Sequence, residues 1–148
     1  MVALIDGSDA LVRSLVDLGV ERNTPLAIAL ATQPGGAVVG FATDAGTVAS
    51  AGSTDDVVAV VAAVERALRP RWVWWDRTPA AVLVQHEVRI GACWDLSAVH
   101  RIVRGGWRSS AVRVWCDARG LDPRTAPVAG QLDLGSGDAG EGPHPAVR

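Results

Sequence analysis

Two apolar runs, Pro25–Ala31 and Ala37–Thr43, flank Pro34-Gly35-Gly36, and no other feature of the chain restricts its fold as strongly. Proline presets one backbone angle and glycine accepts the positive angle beside it, so the segment can reverse the chain within a few residues. The two runs then pair as antiparallel strands. Asp44-Ala45-Gly46 turns the chain once more into a weaker strand near Thr47–Ser50. Beyond this meander, apolar residues at helical spacing alternate with short apolar runs, a pattern that calls for crossover connections and parallel pairing. The expected sheet is mixed.

Boundary signals place the remaining elements. Val2–Ile5, closed by Asp6-Gly7, predicts an opening strand. Ser8 is placed to cap a helix carrying Leu11, Val12, Leu15, Val16 and Leu18, with Gly19 as its stop. Ser53 and Asp56 have capping-box spacing at the head of a second helix. Acids at its start and Arg66 and Arg69 at its end both suit the helix dipole, and Pro70 closes it. Trp72-Val73-Trp74-Trp75 lacks polar alternation and predicts a central strand covered on both faces. Thr78-Pro79 opens a helix through Val84, and Val88–Ile90 reads as a short strand. Asp95 caps a helix with Leu96, Val99, Ile102 and Val103 inward, ended by Gly105-Gly106. Ser109 or Ser110 caps a last helix through Ala118, with Gly120 at its exit. The order is βαβββαβαβαα, an α/β domain over residues 1–124. Residues 125–148 have no periodicity and read as a disordered tail.

Composition narrows the function classes. A chain of 148 residues, 49% hydrophobic and 20% charged, can bury a core without disulfides or metal. The longest unbroken apolar run, Val57–Val64, is far short of the roughly 18 residues of a membrane span. Asp6, Asp9 and Asp17 replace the basic start of a signal peptide, so no membrane partner is expected. Cys93 and Cys116 match no metal spacing and suggest reduced thiols in a cytoplasmic protein. All 14 basic residues are arginine, which together with abundant Ala, Val and Gly suits a GC-rich genome. The net charge of −2 hides an asymmetry: two arginines against eight acids over residues 1–65, but eleven against five over residues 66–124. A basic half can face nucleic acid, match the acidic half of its own domain, or dock an acidic partner.

The segment Arg71-Trp72-Val73-Trp74-Trp75-Asp76, followed by Glu87-Val88-Arg89-Ile90-Gly91-Ala92-Cys93-Trp94-Asp95-Leu96, resembles the 3′–5′ exonuclease domain of family A DNA polymerases. Cys93-Trp94-Asp95-Leu96-Ser97-Ala98-Val99-His100-Arg101 and Gly105-Gly106-Trp107-Arg108 are similar to one subgroup, the actinobacterial bifunctional 3′–5′ exonuclease/DNA polymerase proteins. The resemblance covers roughly residues 2–124, and the middle is shorter than in active members. It implies a ribonuclease H-like fold, a role in DNA replication and repair, and single-stranded or primer-template DNA as partner. It also implies a polymerase domain as a further partner, though the chain carries no polymerase motif.

Enzymes of that family hold two metal ions on carboxylates, among them an Asp-x-Glu pair on the first central strand. In this chain the matching positions are Leu30 and Thr32, and no acid occurs between Asn23 and Thr43. Asp76 matches the second-motif aspartate, either as a remnant metal ligand or as a cap for the Thr78-Pro79 helix. The third motif requires a tyrosine, and the chain has none. The resemblance therefore implies a degenerate site with no catalytic residue and no cofactor. The alternatives are a working nuclease whose Mg²⁺ site is rebuilt around Asp76 and Asp95, and a stand-alone interaction domain. Asp95 itself reads as an N-cap. Arg101, Arg104, Arg108 and Arg113 are the candidates for phosphate contact, against a solvated helix face or a dock for the polymerase domain. Trp72, Trp74 and Trp75 read as core rather than base-stacking residues, and Trp94, Trp107 and Trp115 as packing residues. His86 and His100 have no nucleophile at a diagnostic spacing.

Overall fold

The turn residues set the first half of the sheet. In the structure, a computed structural model describing residues 3–105, 109–122 and 124, β2 (Pro25–Gln33) and β3 (Gly36–Ala42) pair antiparallel. Gln33 faces Gly36 across the turn, and Gly35 takes φ +97°, open to glycine and hostile to other residues. β3 continues into β4 (Thr47–Gly52), again antiparallel, through a turn in which the Thr43 hydroxyl accepts from the amides of Ala45 and Gly46. The opening strand β1 (Ala3–Leu4) lies parallel to β4. β5 (Arg71–Trp74) runs parallel to β2, and β6 (Cys93–Asp95) parallel to β5. The six strands form one mixed sheet in the order β1-β4-β3-β2-β5-β6.

The helices are α1 (Ser8–Asp17), α2 (Thr54–Leu68), α3 (Thr78–Gln85), α4 (Leu96–Arg104) and α5 (Ala111–Arg119). The types of element follow the expected order, although the sixth strand is not the segment expected. The capping box of α2 forms: Ser53 Oγ accepts from the Asp56 amide at 3.1 Å, and Asp56 Oδ2 accepts from the Ser53 amide at 3.0 Å. Ser8 does not cap α1. It is the first helical residue, and Gly7, at φ +86°, occupies the cap position without a side-chain bond. The chain divides into two compact units, Met1–Ser109 and Ser110–Arg148. In the second, α5 is capped by Ser110, whose hydroxyl accepts from the Arg113 amide, and ends at Gly120 with φ +65°. The expected tail, 125–148, lies outside the described residues.

One face of the sheet carries the core of the first unit. Leu26 and Ile28 of β2, Val39 and Phe41 of β3, Val48 of β4 and Trp72 and Trp74 of β5 are buried with Leu11 and Leu15 of α1 and Val57, Val61 and Val64 of α2. Each full burial of a side chain of this kind contributes about 1.5–3 kcal/mol. The rings of Phe41 and Trp72 meet at 6.1 Å between centroids, tilted by 48°. Ala27, Ala29 and Ala31 alternate to the opposite face and are exposed. The same alternation corrects the expectation for β5. It lies inside the sheet, but only Trp72 and Trp74 are buried, while Arg71 and Val73 on the other face are half-buried.

Two further expectations fail for physical reasons. Val88–Ile90 is not a strand: Val88 and Ile90 turn inward against the core, and the pairing partner of β5 is Cys93–Asp95. On α4, Val99, Ile102 and Val103 face outward, the last two 82% and 72% exposed, while Ser97 and His100 are buried. The start of α4 sets this rotation, because the Ser97 amide donates to the Trp75 carbonyl and binds that face of the first turn to the end of β5.

Candidate functional site

The parallel strands β2, β5 and β6 point the same way, so their C-terminal ends share one edge of the sheet. Asp76 and Asp95 follow β5 and end β6 there, and Leu30 and Thr32 lie near the end of β2. The ladder between β2 and β5 ends at Ala27 and Val73; Leu30 and Asp76 each lie three residues further along from these positions. The fold thus brings the matched positions to one end of the sheet.

Their chemistry is that of structure. Leu30 shares its face with Leu26 and Ile28 and packs against the core. Thr32 is exposed at the strand end. Asp76 Oδ1 accepts from the Thr78 amide at 2.8 Å, an Asx turn just ahead of α3, whose cap position is Arg77 and carries no side-chain bond. The bond from the Thr78 amide, helped by the Thr78 hydroxyl and by Arg77, holds the Asp76 carboxyl below the usual aspartate range. Asp95 Oδ1 accepts from the Ala98 amide at 2.9 Å and from Ser97 Oγ at 3.0 Å, so it caps α4 as the sequence indicated. Hydrocarbon stands at Leu30, and both aspartates accept bonds from backbone amides at helix starts. Among the described residues, no three His, Cys, Asp or Glu side chains come together.

The other candidates fall on several elements. Arg101 and Arg104 occupy the last turn of α4, Arg113 lies on α5 in the second unit, and Arg108 lies outside the described residues. His86 Nδ1 sits 3.3 Å from Asp55 Oδ1 at an exposed position. Both cysteines are free; burial, and after it the Asp95 carboxylate, push the Cys93 thiol above its ordinary value and away from the reactive thiolate. Trp94 and Trp115 do not pack as expected. They are 48% and 51% exposed, with Arg71 and Arg119 guanidiniums over their rings at 5.2 and 5.8 Å. Trp107 lies outside the described residues.

Sequence reasoning missed Glu65. Its two oxygens accept from Trp72 Nε1 at 2.7 Å and from the Gly91 amide at 3.0 Å, fastening the loop before β6 to α2 and to the core. The signal was present, since an acid in the last turn of a helix opposes the dipole and asks for another reason to be there.

The class follows from the sheet. Three antiparallel strands, two parallel strands added beside the first of them, and crossover helices make the mixed sheet of a ribonuclease H-like fold. In particular, the chain is similar to the catalytic core of RRP6 from Trypanosoma brucei, with a TM-score of 0.58 at 14% identity. A mutant form of that core matches with a TM-score of 0.56 at 16% identity. In both cases the match covers 89% of this chain and 41% of the other. No protein-family model and no curated protein matches the sequence.

Proposed function

We propose that this chain is a non-catalytic exonuclease-like module of a DNA polymerase I type protein, holding DNA during replication or repair. The observation that carries the reading is Leu30 on the central strand, packed against the core where a metal-dependent nuclease places a carboxylate. Two divalent cations about 4 Å apart repel each other and need several acidic ligands to stay. Asp76 alone, already bonded to Thr78, does not supply them. The polymerase assignment is supported by the segments Arg71–Asp76 and Glu87–Leu96, and the partner proposed is single-stranded or primer-template DNA together with a polymerase domain. The phosphate contacts are assigned to Arg101, Arg104, Arg108 and Arg113.

The test uses 3′-labelled single-stranded DNA with Mg²⁺ or Mn²⁺. The expected result is no metal-dependent loss of 3′ nucleotides, and binding that weakens as salt rises because arginine–phosphate contacts release counterions. Reversing charge at Arg104 and Arg108 weakens that binding by about tenfold or more. Metal-dependent degradation that disappears in Asp76→Ala overturns the reading in favour of a rebuilt nuclease. An absence of DNA binding at low salt leaves an interaction domain instead.

A further inference from the structure

The opposite edge of the sheet, where β2, β5 and β6 begin, holds a cavity of about 450 Å³. Arg22 before β2, Arg66 and Arg69 at the end of α2, and Arg89 before β6 all line it, with Glu65 and Asn23. All four arginines are exposed, and among the described residues none of their side chains makes an ion pair. The single carboxylate in the wall, Glu65, is turned to Trp72 Nε1 and the Gly91 amide rather than to a guanidinium. The C-terminal carbonyls of α2 add about half a negative charge. Together with Glu65 they offset fewer than two of the four positive charges. The bland explanation, that Arg66 and Arg69 complement the helix dipole, accounts for neither Arg22 nor Arg89.

The walls are built rather than loose. The Asn23 amide donates to the Arg69 carbonyl at 3.1 Å, the Arg71 amide to the Thr24 carbonyl at 2.9 Å, and the Trp72 amide to the Ala92 carbonyl at 3.0 Å. Glu65 adds the strap to Gly91. Three segments distant in sequence are thereby fixed around one concavity. Arg69 also stands in the left-handed region at φ +46°, and Asn23 beside it at φ +66°. Arginine has no local reason to accept that conformation where glycine is the usual helix ending.

The geometry points to a binding site for a compact polyphosphate, the triphosphate group of a nucleotide or an inorganic chain of phosphates. Guanidinium forks match phosphate oxygens two at a time, and several arginines in one concavity favour a ligand with closely spaced charges over a single anion. The volume lies in the range of small-ligand pockets and suits a short ligand better than an extended strand. Six residues separate Thr24 from Leu30, so the cavity lies about 20 Å along β2 from the former nuclease edge. The two sites are separate, and this inference does not rest on the DNA-holding reading.

Calorimetric titration of the full chain with inorganic tripolyphosphate, a nucleoside triphosphate and a single-stranded oligonucleotide tests it. Tripolyphosphate is expected to bind once per chain, more weakly at higher salt, and Arg66→Glu with Arg89→Glu is expected to lower its affinity by about tenfold or more. A nucleoside triphosphate binding more tightly than tripolyphosphate identifies the nucleotide as the source; equal affinities identify the phosphates alone. Arg69→Gly separates binding from folding, because glycine relieves the backbone while removing a guanidinium: affinity falls and thermal stability does not. Reversing Arg104 and Arg108 leaves tripolyphosphate binding unchanged while it weakens the oligonucleotide. No binding by the wild-type chain, wild-type affinity in the Arg66/Arg89 variant, or displacement of tripolyphosphate by the oligonucleotide overturns the proposal.

Discussion

Glu65 illustrates how a single carboxylate can order a chain without taking part in chemistry. Removing it leaves the Trp72 indole N–H in the core without its acceptor, at a cost of about 1–3 kcal/mol, while the exposed Gly91 amide turns to water. Glu65→Ala is therefore expected to lower the unfolding free energy by that amount, read as a lower urea midpoint by Trp fluorescence. Asp56 and Asp76 act at helix starts instead. Bonds from Ser53 to the one, and from Thr78 to the other, hold both carboxyls below the ordinary aspartate value of 3.8. A folded-state pKa below the unfolded one stabilises the fold above the unfolded value, and the benefit is lost as pH falls through the folded value. Thermal stability should thus drop as pH is lowered from 5 through 3.8 and below, and Asp56→Asn should flatten that drop. A variant with an unchanged acid limb would show that these bonds do not hold α2 and α3 in solution.

Among the elements, α2 and α4 look alike as sequences and differ in the structure. Both carry apolar residues at helical spacing, yet α2 buries Val57, Val61 and Val64 while α4 exposes Ile102 and Val103. The difference comes from what precedes each helix. α2 crosses back over the sheet between β4 and β5, so its apolar side must lie on the core. α4 leaves the last strand of the sheet, and the Ser97–Trp75 bond turns its polar side inward. Leu26→Ala, beneath this packing, should cost about 2–5 kcal/mol, whereas Ile102→Ser should stay within about 0.5 kcal/mol, both by chemical denaturation. The short strand was misplaced for a related reason. Val88 and Ile90 are as apolar as a strand requires, but they serve the core as side chains in a loop, and the ladder to β5 forms three residues later.

At the scale of the molecule, the polarity of the parallel strands sorts its charged residues into two edges. Asp76, Asp95 and Leu30 lie toward the strand ends; four arginines lie at the strand beginnings. Among the described residues, no helix is long and apolar enough to cross a membrane. The types of element in order, the hairpin at Pro34-Gly35, the capping box of α2 and the cap role of Asp95 are legible in the residues alone. All of these depend on residues within a few positions of one another. The sequence also determined that the first central strand carries no acid, since that is a matter of residue identity alone. Which side of α4 turns inward, and which three residues of the last strand pair with β5, depend on contacts between distant segments. The tertiary structure also brought Arg22, Arg66, Arg69 and Arg89 to one cavity from positions up to 67 residues apart. Local signals report the energy of a turn or a cap. They carry nothing about distant segments that meet because a sheet has aligned their ends, and in this chain the clustered cations are of that second kind.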